Sequence, residues 1–290
     1  MQPVSSPHAQ WRIGLARQLA ERLSTLNGVQ AIVIAGSVAR GYADEYSDLE
    51  IPIFWDQQPD DVTRQALIAT LPASFLYTYD GPSREDQLLI RGLQVDLWHN
   101  SVSDENAVIE AVLRGYSTDL GDSNFMDTVR ACIPLYGDDI IQEWKRRAQE
   151  YPDELACRVI DEHLPAFSTS ELALHVHRHN PSAFYACLCH LQRKVFLVLL
   201  ALNRAYFPTF KWMYHSLDAM QIKPPDVERR FREIFSRPYA EAMADTALVL
   251  QETLELVEQH MPQIDTGLVR RRLAYARAAH NKPIRLFGTS

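Results

Sequence analysis

The chain has 290 residues, 47% of them apolar and 23% charged, enough for two ordinary domains or one large one. Its charge is unevenly spread: residues 1–150 carry 12 Lys and Arg against 22 Asp and Glu, net −10, and the remainder carries 17 against 15, net +2. A pI near 5.7 with an acidic first half argues against a broad basic face for nucleic acid, since phosphate neutralisation needs clustered Lys and Arg.

Apolar positions Trp11, Leu15, Leu19, Leu23 and Leu26 recur at helical spacing and predict an amphipathic helix over residues 10–26, closed by Asn27-Gly28. Residues 29–35 read as a short buried strand and 36–41 as a glycine turn opening a short helix. Residues 48–55 read as an alternating strand, which Pro52 pushes towards a sheet edge or a bulge. Residues 60–71 look helical; then come 74–79, a loop at Asp80-Gly81-Pro82, and a hairpin of 87–90 with 93–98 turning at Arg91-Gly92. After Ser103 every periodic segment is helical, with breaks expected at Pro134, Pro152, Pro165, Pro181, Pro208, Pro224 and Pro262. The expected fold is an α/β (α+β) N-terminal domain with a small mixed sheet, residues 1–150, and an all-α helical bundle, residues 151–290.

No charged and apolar leader precedes Trp11, and the longest apolar run, residues 195–202, is far short of the ~18 residues of a membrane span. A soluble, cytoplasmic protein with no membrane partner is expected. Cys132, Cys157, Cys187 and Cys189 are too few and too irregular for a disulfide framework and read as reduced thiols. The run His175-Val176-His177-Arg178-His179, followed by Cys187-Leu188-Cys189-His190, has the atoms for zinc but not the spacing.

The chemistry concentrates between Gly36 and Asp96. Alternation along a strand puts Asp48 and Glu50 on one face and Leu49, Ile51 and Ile53 on the other. In the later strand Val95 and Leu97 face the core, and Asp96 joins Gln94 and Trp98 on the opposite side. Three carboxylates on one side of a sheet repel one another unless a cation neutralises them, and hard oxygen donors select Mg²⁺ or Mn²⁺. A two-metal phosphoryl-transfer centre needs such a cluster; three solvated strand charges are the alternative. Upstream, Gly36-Ser37 leads into a helix, where backbone N–H groups and a hydroxyl can dock phosphate.

Gly36-Ser37, Asp48-x-Glu50 and Asp96 together resemble the nucleotidyltransferase core of the DNA polymerase beta superfamily. The helical second half resembles the small-molecule adenylyltransferases that modify streptomycin, kanamycin and lincosamides. The phrase Ala201-Leu202-Asn203-Arg204-Ala205-Tyr206-Phe207-Pro208-Thr209-Phe210-Lys211-Trp212 is similar to bacterial nucleotidyltransferase-like proteins carrying a domain of unassigned function. These resemblances imply that Asp48 and Glu50 hold Mg²⁺, that Asp96 completes the site and serves as a base, and that a Lys of the helical domain reaches the triphosphate of ATP or another NTP. Glu at position 50, where many relatives have Asp, lengthens the ligand arm.

The helical half supports this role independently. No acidic residue occurs between Glu171 and Asp218, while Arg178, Arg193, Lys194, Arg204 and Lys211 lie inside that window. Arg193 and Arg204 are eleven apart, about three turns, and share a face if the helix is continuous. Lys211, supported by Arg193, Lys194 or Arg204, is expected on the β and γ phosphates; Arg40, three residues past Ser37, is a further helper or a brace for its loop. The expected reaction is Mg²⁺-dependent transfer of a nucleoside monophosphate, AMP from ATP, to a hydroxyl of a small acceptor, with nucleic acid disfavoured. Asp119, Asp122, Asp161, Glu162 and Glu171, near the expected domain junction, suggest an amine-bearing acceptor. The competing readings are a binding module of the same fold, as in toxin–antitoxin pairs, and a protein-modifying adenylyltransferase. No sequence feature sets an oligomeric state.

Overall fold

The computed structural model describes residues 6–80, 84–278 and 280; of the loop expected at Asp80-Gly81-Pro82, Gly81 and Pro82 lie outside them. The chain divides into two compact units, Met1–Leu155 with Tyr206–Pro208, and Ala156–Ala205 with Thr209–Ser290.

The first unit begins with α1 (Pro7–Leu23), β1 (Val29–Ile34), α2 (Gly36–Arg40), β2 (Leu49–Trp55) and α3 (Asp61–Ala69). It continues with β3 (Ser74–Asp80), β4 (Arg84–Ile90), β5 (Leu93–Ser101), α4 (Val102–Leu113), α5 (Leu120–Ala131), β6 (Ile133–Tyr136) and α6 (Asp138–Ala148). The six strands form one mixed sheet in the order β3-β4-β5-β2-β1-β6, in which β2 and β5 run parallel. The β4–β5 hairpin closes with Ile90 opposite Leu93, and Arg91 and Gly92 both have positive φ, as a two-residue turn matched to strand twist requires.

One sheet face is apolar. Leu49, Ile51, Ile53, Leu88, Val95 and Leu97 are completely buried there, with Leu19 and Leu23 of α1 and Leu67 of α3 in the same cluster. Each such side chain contributes about 1.5–3 kcal/mol by leaving water. The opposite face is covered in part by the helices that follow: Phe54 of β2 meets Trp144 of α6 edge-on at 4.9 Å, and Phe125 of α5 meets both rings.

Two expectations need correcting. Pro52 lies in the middle of the sheet, because β2 sits between β5 and β1. Its missing N–H is tolerated because the β1 ladder stops at Ile53 opposite Ile32 and resumes where Ala35 N–H donates to the Glu50 carbonyl at 3.1 Å. Nor do strands end at Ser103. Residues 133–136 form an edge strand antiparallel to β1, where a proline such as Pro134 costs little; four residues are too few to show a period.

The chain then forms α7 (Asp153–His163), inside which the division between units falls. The second unit holds α8 (Ser170–His177), α9 (Pro181–Leu202), α10 (Met213–Ala219), α11 (Val227–Glu233), α12 (Tyr239–His260) and α13 (Gly267–Ala274), and no strand among its described residues. In α9, Pro181 opens the helix, and the Asn180 side chain caps it by accepting from Ala183 N–H. By length and composition α9 could cross a membrane, which the 195–202 run alone did not reveal, yet most of it is buried in the fold. Asn203 ends it, donating to the Leu199 and Ile222 carbonyls at 2.8 Å each.

Candidate active site

Strand register brings two of the expected carboxylates together. Glu50 stands directly opposite Asp96 across the parallel β2–β5 pair, so both side chains rise from one rung on the same face, with neighbouring strands about 4.8 Å apart. Asp48 precedes the first rung, Leu49 opposite Val95, and is half-buried beside the start of β2. Gln94 lies two residues before Asp96, and its amide donates to both Asp96 carboxylate oxygens, at 3.0 and 3.1 Å.

Gly36 is shaped to this arrangement. Its φ is +60°, and a Cβ at that position would stand 1.7 Å from Glu50 Oε2, so the Glu50 carboxylate lies directly over the glycine that opens α2. Ser37 follows, buried at the start of the same short helix. Arg40, at the end of α2, pairs with Asp127 of α5, so its charge is matched and α2 is tied to α5.

Sequence reasoning missed Arg12. It is buried on α1, and its guanidinium donates to the Ser47 carbonyl from Nε at 3.0 Å and from Nη2 at 2.6 Å, fixing the residue just before Asp48. Burial lowers the Arg12 pKa, against the opposing pull of the Asp44 and Asp48 charges. The available signal was an Arg at helical spacing from Ala16, Leu19 and Leu23, on a stripe otherwise apolar.

Among the described residues, no three His, Cys, Asp or Glu side chains stand close enough to cage a metal ion. The donor set still fits Mg²⁺ or Mn²⁺ as an open site: Mg²⁺ keeps several waters and takes one or two carboxylates together with substrate phosphates. Glu50 and Asp96 supply that pair, with Asp48 adjacent.

The same face continues into a pocket of about 430 Å³ that lies wholly within the first unit. Its floor is the next rung on that face, Pro52 opposite Trp98, extended through Glu85 to Tyr79 across β4 and β3. Of the acids expected to line an acceptor cleft, Asp119 and Asp122 line this pocket; Asp161, Glu162 and Glu171 do not and belong to the second unit.

The expected triphosphate cations all lie in the second unit. The Arg193 guanidinium stacks over Phe210 at 4.8 Å, and exposed Lys211 lies 5.5 Å from the Trp212 ring, so these two flank one aromatic segment. Lys194 turns to His163 Nδ1 at 3.2 Å. Arg204 does not share a helix face with Arg193, because α9 stops at Leu202 and Arg204 has φ +52°; its Nη1 donates to the Ala201 carbonyl at 2.7 Å.

A family model described as a domain of unknown function (DUF4037) matches residues 124–213. No curated protein matches the sequence. Among solved structures, the chain is similar to a nucleotidyltransferase-like protein from Exiguobacterium sibiricum 255-15, at 11% identity and a TM-score of 0.40, over 86% of this chain and 78% of that one. It is also similar to a CCA-adding enzyme in complex with CTP, at 14% identity and a TM-score of 0.34, over 92% and 71% respectively. Likenesses of this size assign no residue and no activity.

Proposed function

We propose that the protein is a Mg²⁺-dependent nucleotidyltransferase that moves a nucleoside monophosphate, AMP from ATP, to a hydroxyl of a small acceptor. The observation that carries this reading is the single rung shared by Glu50 and Asp96, with the Glu50 carboxylate over the Gly36-Ser37 turn. A divalent ion bound there supplies charge neutralisation on the phosphates and polarises the phosphoryl oxygens. In the step, the acceptor oxygen bonds to the α-phosphorus as the bond to the α,β-bridging oxygen breaks. Pyrophosphate leaves with the electron pair, and the hydroxyl proton passes to the Asp96 carboxylate and on to solvent. Positioning and electrostatics supply most of the rate in such chemistry. Lys211 and Arg193 are assigned to the β and γ phosphates.

Pyrophosphate release from Mg-ATP, measured with panels of amines, polyols, oligonucleotides and proteins, tests the reading. Transfer only to nucleic acid or only to protein side chains would replace the small acceptor. Lys211→Ala is expected to weaken ATP binding by about 1–3 kcal/mol, the range for a lost charge-assisted hydrogen bond, read by equilibrium dialysis. Unchanged affinity removes Lys211 from the site. A second reading, nucleotide binding without turnover, is favoured by the Gln94 amide that already engages both Asp96 oxygens. Gln94→Ala separates the two: it raises or preserves turnover if Asp96 acts on substrate, and turnover is absent from both proteins if the module only binds.

A further inference from the structure

The three carboxylates are not held alike. Glu50 and Asp96 belong to the β2–β5 ladder, whose first rung is Leu49 opposite Val95, so the sheet fixes both. Asp48 stands one residue before that rung, outside the ladder, and its position depends on the segment 41–48 that joins α2 to β2.

That segment buries little of its own. Asp44 Oδ1 accepts from the Tyr46 N–H and the Ser47 hydroxyl at 3.0 Å each, and the Asp44 N–H donates to Ser47 Oγ at 3.0 Å, so residues 44–47 close into a turn bonded to itself. Glu45 and Tyr46 project into solvent, Tyr46 being 91% exposed, and Ala43 is the one residue of 42–48 in the apolar core. A turn with so few buried contacts keeps its shape without keeping its place.

Two side chains of α1 supply the place. The Ser6 hydroxyl, at the N-cap, donates to the Ala43 carbonyl at 2.8 Å. Arg12 grips the Ser47 carbonyl through Nε and Nη2 together, while its Nη1 donates to the His8 carbonyl at 2.9 Å. The Ser47 carbonyl belongs to the peptide that joins Ser47 to Asp48, so two donors on that oxygen fix the plane from which Asp48 departs. Burying a guanidinium is costly unless nearby charge repays it, and Asp44 and Asp48 are the charges acting on this one.

We propose that α1 is a clasp on the metal-ligand segment, and that Arg12, acting through the Ser47 carbonyl, is the positioning residue that makes Asp48 available to a divalent ion on Glu50 and Asp96. The ion in this proposal rests on the transferase reading; the clasp on residues 42–48 does not.

Mn²⁺, followed by the electron paramagnetic resonance of the free ion, is titrated into the full chain without nucleotide. The wild type is expected to bind it saturably and Glu50→Gln to lose most of that binding. Arg12→Met should bind at least about tenfold more weakly than wild type. Leu19→Ala, which opens a cavity on the same helix, should stay within about twofold of wild type. A role confined to the stability of α1 would weaken both variants alike, and that result overturns the proposal. Hydrogen exchange gives a readout without metal: amides of residues 42–48 should exchange at least about tenfold faster in Arg12→Met, with those of β5 unchanged. If Arg12→Met does not fold, Arg12→Lys takes its place; it keeps the charge but not the planar fork, and should weaken Mn²⁺ binding at least about threefold. Wild-type Mn²⁺ affinity in the Arg12 variant overturns the proposal and leaves the metal site standing. No saturable Mn²⁺ binding by the wild type up to about 5 mM, or equal binding by Glu50→Gln, removes the metal reading and this role of Arg12 with it. Exchange alone then decides whether α1 clasps the segment.

Discussion

Asp86 and Glu105 are both buried carboxyls of the first unit, 1% and 7% exposed, and they sit in opposite surroundings. Asp86 rises on the apolar face of the sheet, opposite Leu97 and Thr78. Arg64 Nη1 donates to it at 2.6 Å and the Thr78 hydroxyl at 2.7 Å, while His99 Nε2 lies 3.1 Å away without hydrogen-bond alignment. Burial pushes this carboxyl up, but His99, Thr78 and Arg64 more than reverse that and bring it down to about 2. Glu105 has acids for neighbours and is pushed up to about 8. A buried acid with its cation built in is held as a carboxylate; a buried acid among other acids is held in its protonated form.

The largest effect is expected on the open face. Asp96→Asn should cut nucleotidyl transfer by about 10³-fold or more, equivalent to about 4 kcal/mol of transition-state stabilisation, while leaving the urea midpoint unchanged or raised. Retained transfer would make the Glu50–Asp96 rung structural.

Arg64→Leu tests the closed face. Leaving Asp86 buried without its main cation should cost about 3–5 kcal/mol of stability by urea unfolding, and the double variant Arg64→Leu, Asp86→Leu should recover much of that loss. If the single variant costs less than 1 kcal/mol, about the worth of an exposed pair, the pairing does not define the difference.

pH separates the two acids by sign. Asp86 titrates lower in the fold than its ordinary 3.8, so its stabilising contribution is complete above about pH 4 and is lost as pH falls towards 2, by about 2 kcal/mol. Glu105 titrates higher than its ordinary 4.5, so its contribution is complete below about 4.5 and is lost as pH rises through 8, on the order of 3–5 kcal/mol. Stability of Glu105→Gln relative to wild type should therefore grow between pH 5 and 8, and the advantage of wild type over Asp86→Asn should shrink between pH 4 and 2. Parallel pH curves for wild type and Glu105→Gln would show that Glu105 is not held neutral.

The sequence made the carboxylate face legible because strand periodicity is local: Asp48, Glu50 and Asp96 alternate with Leu49, Ile51, Val95 and Leu97 whatever the sheet order. It could not show that β2 and β5 are parallel neighbours, which decides that Glu50 and not Asp48 faces Asp96. The row Pro52, Trp98, Glu85, Tyr79 was invisible for the same reason, since it draws on four strands whose pairing is non-local. Arg204 would share a face with Arg193 only on a continuous helix, and that condition fails because α9 ends at Leu202 and Arg204 itself is left-handed. Glu105 was missed because a single Glu in a helical stretch reads as surface until the elements around it are known.

The parallel pair also sets which changes in chain length this unit tolerates. Glu50 and Asp96 are delivered to one rung by segments joined through α3 and the β3–β4 hairpin. Lengthening the loops within that connection is cheap, since even doubling a flexible closing loop costs only about 0.6 kcal/mol. Shifting β5 by one residue is not: Val95 or Leu97 would take the place of Asp96 opposite Glu50, and Asp96 would turn into the apolar layer against α1. Insertions should therefore be tolerated in the loops that join these elements between β2 and β5 and excluded from the strands themselves.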